Sequence, residues 1–224
     1  MVTPLNREQM AWRAAQDLAH GSYVNLGLGV PVLVSSHAPA DRDIVFHSEN
    51  GIVGVGPLAT GDEVDPDLVD AGSRTVTLQP GAAIVDSSAA FAMIRGGHVD
   101  VTLLGGFEVA SNGDFANWDL GQPNKGQLVG GAMDLAVGAK AVRVIMQHTS
   151  RDGGPRLVER CTLPLTAVGA VSRVYTDLAV VDVTVNGFLV RELLPGLTRD
   201  QLQAKTGALL AFADDCGEIT VPVL

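Results

Sequence analysis

The segment His47-Ser48-Glu49-Asn50-Gly51 is where residue types and spacing first suggest chemistry. It follows a short apolar run at residues 44–46 and leads into Ile52-Val53-Gly54-Val55-Gly56-Pro57. A carboxylate there projects from the end of a buried strand, between small residues that leave room for a substrate. Carboxylates are ionised at neutral pH and are nucleophiles without help from a base. The chain offers no convincing Ser-His-Asp or Cys-His arrangement to compete for that role. Most acidic residues at strand ends are solvated or ion-paired, so on spacing alone a turn cap or an arginine partner is the commoner fate of Glu49.

Elements must hold this residue in place. Apolar runs recur at residues 23–28, 44–46, 75–78, 99–104, 141–146 and 179–185, each followed by Gly, Pro or a polar turn. Runs of this length that are apolar throughout read as strands buried on both faces, the habit of parallel sheets. Helical patterns fall between them at 31–37, 87–95 and 198–210, and a first helix is predicted from Arg7 to His20, with Asn6 as N-cap and Gly21 at its end. The alternation predicts one α/β domain over residues 1–224, a mainly parallel sheet flanked by helices, with its site at the strand C-terminal ends. Residues 105–131, polar and rich in Gly and Asn, read as a long functional loop or a pair of short hairpins.

Bulk properties exclude several classes. A net charge of −10 provides no stripe for phosphate backbones, which argues against nucleic-acid binding. Apolar stretches stop well short of the roughly 20 residues of a membrane span, and no signal-like apolar segment opens the chain, so cytoplasm is the expected compartment. Cys161 and Cys216 stand far apart with no metal-ligand spacing and read as small core residues. The acidic run at residues 62–67 contains Pro66 and lacks ordered ligand spacing, so it reads as a solvated loop rather than a metal site. His98 and His148 read as structural hydrogen-bonding residues, and Trp118 as a packing anchor.

Ser48-Glu49-Asn50-Gly51, with Gly54 and Gly56, resembles the signature of class I (3-oxoacid) coenzyme A transferase β subunits. Asn25-Leu26-Gly27-Leu28-Gly29-Val30-Pro31, Ala92-Met93-Ile94-Arg95-Gly96-Gly97-His98 and Ala116-Asn117-Trp118 are similar to further blocks of that family. So are Gly130-Gly131-Ala132-Met133-Asp134-Leu135 and Cys161-Thr162-Leu163-Pro164-Leu165-Thr166. The blocks run in the family's order through nearly the whole chain. Within the family, His20–Asn25 is most similar to the 3-oxoadipate transferases of aromatic catabolism. Acetoacetate transferases share nearly all the motifs.

The resemblance implies a transferase whose Glu49 carries CoA as a covalent thioester between two carboxylic acids, with succinyl-CoA as the preferred donor and 3-oxoadipate as the preferred acceptor. It implies oxyanion donors at the N–H groups of Gly131 and Ala132, whose segment also suits a tight helix start. Asn25, Ser48, Asn50 and Gly51 stand as supporting positions, although Asn25 suits a turn cap equally well. CoA is then substrate and intermediate, with no resident cofactor and no metal. An α subunit is implied as partner, in an α2β2 assembly. The family commonly has Gln where this chain has His47, and residues 119–129 depart from the usual loop, so Lys125 is not placed in the site. Rival readings are an acyl-CoA hydrolase using the same Glu49, a sugar-phosphate isomerase and a ligand-sensing domain. The last two leave the ordered blocks unexplained.

Overall fold

The computed structural model describes residues 2–121 and 126–223; Lys125 lies outside them. Helix α1 (Arg7–Ala15) begins in a capping box, in which the Asn6 side chain accepts from Gln9 N–H and the Gln9 side chain accepts from Asn6 N–H. Strand β1 (Tyr23–Leu26), a 3₁₀ segment at Pro31–His37, β2 (Val45–Ser48), β3 (Ile52–Leu58) and β4 (Val76–Ile84) follow. Next come α2 (Ser87–Arg95), β5 (Val101–Gly105), β6 (Glu108–Ala110), β7 (Phe115–Ala116), α3 (Ala132–Gly138) and β8 (Ala141–Ile145). The chain continues through β9 (Leu157–Val158), β10 (Val171–Tyr175), β11 (Ala179–Thr184), β12 (Gly187–Leu193), α4 (Arg199–Gln203) and β13 (Leu210–Glu218).

One sheet holds ten of these strands in the order β13-β12-β11-β10-β8-β5-β1-β2-β3-β4. Its centre, β10-β8-β5-β1-β2, is parallel throughout. From β1 the chain moves to β2 on one side and then to β5 on the other, so the strand order reverses between β1 and β5. In sheets wound this way the crevice for a ligand opens at such a reversal, beyond the strand C-termini. The wings are largely antiparallel: β3 and β4 on one flank, β11 and β12 on the other. The expected mainly parallel sheet with flanking helices is the one observed. Val24, Val101, Leu103, Leu104, Val142 and Val144 fill its core, and α1 covers part of it through Met10, Ala11, Ala14 and Ala15.

Several boundaries differ from the sequence reading. The first helix ends at Ala15, not His20, because the next turns tighten: Asp17 and Leu18 N–H bond to Ala14 and Ala15 carbonyls three residues back. The segment at Pro31–His37 is 3₁₀ rather than α. The last helix stops at Gln203, where Gln203 Oε1 takes the Leu210 N–H and Gly207 N–H bonds to Leu157, turning the chain into β13. Among the described residues of 105–131 there is one hairpin, β6–β7, which β9 extends to a three-stranded sheet. Both cysteines are free and partly buried rather than fully in the core; Cys216 packs against the core's edge and Cys161 does not. His98 is exposed and makes no side-chain hydrogen bond among the described residues, because it lies past the end of α2 on the surface. The run at residues 62–67 is fully exposed, as expected of a solvated loop.

Candidate active site

Strand β2 ends at Ser48, and Gly51 N–H bonds back to the Ser48 carbonyl, so residues 49–51 form the tight tip that returns the chain as β3. Gly51 sits at φ +123°, and a Cβ there would lie 2.1 Å from the Val85 carbonyl oxygen; only glycine makes this turn. Two bonds pin the tip to a neighbouring loop. Ser48 Oγ accepts from Ala71 N–H at 2.9 Å, and Asn50 Nδ2 donates to the Val69 carbonyl at 2.7 Å. Ser48, Asn50 and Gly51 therefore hold the hairpin, while Glu49 is the member of the tip that lines the cleft.

The parallel ladder sets Asn25 of β1 beside His47 of β2, two residues before Glu49. Asn25 is wholly buried, and its Nδ2 donates to Glu49 Oε2 at 3.0 Å. The same nitrogen lies 3.2 Å from His47 Nδ1 and 3.2 Å from the His47 carbonyl oxygen. Thr102 Oγ1 donates to Asn25 Oδ1 at 3.5 Å, which fixes the amide with its N–H groups toward Glu49. Turned over, the amide oxygen would face a carboxylate and a carbonyl. His47 Nδ1 must then accept, which puts the ring hydrogen on Nε2. Burial pushes the His47 ring below the usual histidine range, opposed more weakly by the Ala90 backbone, and Nε2 has no partner in full hydrogen-bond geometry. A neutral histidine thus backs the amide that holds Glu49.

Across the cleft, Gly131 caps α3 and Ala132 opens it. The first N–H groups of a helix have no acceptor of their own, so they are free for a ligand. A Cβ on Gly131 would lie 2.8 Å from Phe91 Cζ and 3.9 Å from Glu49 Cγ. The glycine thus permits both the packing of α3 on Phe91 and the approach of its backbone to the glutamate. The tight helix start and the exposed backbone donors are one feature.

Glu49, Gly131 and Ala132 line a cleft of about 560 Å³ with Gly27 after β1, Gly105 at the end of β5, Gly106 and Phe107 beyond it, and Met146 and Gln147 after β8. It lies at the C-terminal ends of the central strands. Arg7, Arg151 and Arg156 also line it, and Asn117 reaches it while donating to the Gly105 carbonyl. In sequence, Arg7 reads only as the polar face of a helix, and no spacing singles out Arg151 or Arg156. The loop that closes behind β8 is what brings the last two in. Trp118 borders this region with its Nε1 donating to the Leu165 carbonyl.

Residues 7–205 match the coenzyme A transferase family, and the chain belongs to it. It is 48% identical over 209 residues to the β subunit of the 3-oxoadipate CoA-transferase of Acinetobacter baylyi, across 93% of this chain and 96% of that one. It is 47% identical over 203 residues to the β subunit of the succinyl-CoA:3-ketoacid coenzyme A transferase of Helicobacter pylori, across 90% of this chain and 97% of that one. An acyl-CoA transferase from Escherichia coli shares the fold with a TM-score of 0.76 at 20% identity; the match covers 98% of this chain and 44% of that protein's length. Among the described residues, no helix is long and apolar enough to cross a membrane.

Proposed function

We propose that this chain is the glutamate-bearing half of a two-subunit CoA-transferase, moving CoA from succinyl-CoA to 3-oxoadipate through a thioester on Glu49. The observation that carries the reading is the carboxylate at the hairpin tip, held by the neutral Asn25 amide and facing the free backbone donors at Gly131 and Ala132. Glu49 attacks the acyl-CoA carbonyl, forming a mixed anhydride and expelling CoA thiolate. The thiolate attacks the glutamyl carbonyl, releasing the first acid as its carboxylate and leaving Glu49 as the CoA thioester. The second acid's carboxylate then displaces the thiolate to form a new anhydride. Thiolate attack on its acyl carbon yields the new acyl-CoA and restores Glu49.

Each step passes through a tetrahedral oxyanion. N–H groups fixed at a helix start stabilise such charge without reorganising, typically by about a hundredfold to a thousandfold in rate. Asn25 orients Glu49 without an opposing cation, which would quench its nucleophilicity. CoA is both substrate and intermediate, and no resident cofactor enters the reaction. The names of the relatives, each one half of a two-part transferase, support an α partner, in an α2β2 assembly, and the cytoplasm is the compartment of this reading. A short-chain 3-oxo acid is the second reading for the acceptor, favoured by the Helicobacter relative at nearly equal identity.

The test uses the chain co-expressed with its α subunit and given acyl-CoA without an acceptor. Mass spectrometry of the peptide containing Glu49 shows a CoA adduct, which Glu49→Ala removes along with turnover. Full turnover by Glu49→Ala would end this reading. Release of free acid in place of transfer would make the enzyme a hydrolase.

A further inference from the structure

The arginines of this chain differ in what they meet. Arg13, Arg74, Arg95, Arg173 and Arg191 each meet a carboxylate within 4 Å. Arg42 and Arg143 donate to backbone carbonyls. The side chains of Arg7, Arg151, Arg156, Arg160 and Arg199 have neither kind of partner among the described residues. Arg160 is exposed to solvent and Arg199 stacks over the Phe212 ring, whereas Arg7, Arg151 and Arg156 line the cleft that contains Glu49. Arg7 stands on helix α1, whereas Arg151 and Arg156 share the loop after β8.

That loop is built to stay in place. Ser150 N–H bonds to the Gly154 carbonyl, Gly153 N–H to the Ser150 carbonyl, and Thr149 bridges Pro155. At its base, His148 N–H donates to Asp177 Oδ1 at 2.7 Å, and the fully buried His148 ring lies between the Thr176 and Thr206 hydroxyls. Arg156 N–H closes the loop onto the His148 carbonyl. Burial, the largest effect, and the neighbouring Arg151 both lower the Arg156 pKa, against Asp177 and Asp152. A guanidinium does not escape by losing its proton, so an anion is what relieves it.

We propose that Arg156, with Arg151 beside it, binds the far carboxylate of a dicarboxylic acyl group whose near end reacts at Glu49. The proposal rests on Glu49 being the nucleophile. Strand β8, which carries the loop, is three places from β2 in the sheet. At about 4.8 Å per strand the two C-termini stand roughly 14 Å apart. A glutamate side chain, a short-chain diacid and an arginine side chain fill that span end to end. The CoA phosphates, a pantetheine arm beyond the thioester and common to every donor, are the competing anion, and equal slowing of all donors would assign the arginines to them instead. A guanidinium grips a carboxylate with two parallel hydrogen bonds, which a methyl end cannot accept.

The test is the first half-reaction of the assembled enzyme: the rate of Glu49 thioester formation from succinyl-CoA against butyryl-CoA, which differ only at the far end of the acyl group. Wild type prefers succinyl-CoA, and Arg156→Met collapses the preference by roughly tenfold to a hundredfold, the usual worth of a hydrogen bond to a charged group. Arg156→Lys recovers part of it, and Arg151→Met reduces it less. Wild type without a preference, or variants that slow both donors equally and leave the ratio unchanged, overturns the assignment. No thioester from either donor on wild type overturns the Glu49 reading as well, which separates the two failures.

Discussion

Asp17 and Glu49 are both partly buried carboxylates, and their surroundings differ in kind. Asp17 accepts from Arg13, Arg173 and the Tyr175 hydroxyl, in a network that runs on through Arg173 to Asp182 and Arg191. Burial pushes the Asp17 carboxyl up, yet the Tyr175 hydroxyl and the Arg13 and Arg173 charges outweigh it and hold the group below the usual carboxylate range. Glu49 accepts from the Asn25 amide and makes no ion pair among the described residues, while the cations of its cleft stand apart from it. One acid fastens a helix to the sheet. The other is aimed and left available.

The largest effect expected from this contrast is at Glu49. Glu49→Gln keeps the volume and an oxygen for the Asn25 contact, so it should leave the unfolding midpoint unchanged while transfer falls by at least about 10,000-fold. Asp17→Ala should do the reverse. Removing one partner of a largely buried pair costs roughly 3 to 5 kcal/mol, read from denaturant unfolding, with the specific activity of the folded fraction retained. An Asp17→Ala enzyme that is inactive but fully stable would erase the distinction.

The buried His148 sharpens it. His148 has both ring nitrogens matched to hydroxyls, and burial, with Lys205 adding to it, pushes its pKa down to about 4. An unfolded histidine takes its proton near pH 6.5, so the unfolded chain binds it first as pH falls. The His148 contribution is complete above about pH 6.5 and drains away toward about pH 4, by up to about 3 kcal/mol. His148→Gln should flatten that part of a stability-against-pH curve; an unchanged slope refutes the assignment. The smallest expected effect is at Asn25. Asn25→Ala should slow thioester formation by roughly tenfold to a hundredfold through loss of a charged hydrogen bond, while acyl-CoA binding changes little.

How far the fold is legible in the sequence depends on how each segment is buried. Strands β1, β5, β8 and β11 are mostly apolar because they run through the centre of the molecule and most of their side chains are buried, and their sequences announce it. Strands β10, β12 and β13 carry Arg173, Arg191, Glu192, Asp214 and Asp215, charges that the ion network or solvent receives on an open face, so no apolar run marks them. The end of α4 escapes a periodicity argument because a side-chain bond from Gln203 redirects the chain. In the site, Glu49, Asn25 and Gly131 stand out because residue type and family likeness coincide there. Arg151 and Arg156 do not, since a loop arginine is ordinary until the fold shows which hollow it enters.

The Asn25 amide has two hydrogens and three acceptors around it: the glutamate oxygen, the His47 ring and the His47 carbonyl. When Glu49 turns away or gives up its charge, neither hydrogen is stranded in the interior, because a spare lone pair is already in place. The pocket floor can release its guest and take it back without being rebuilt.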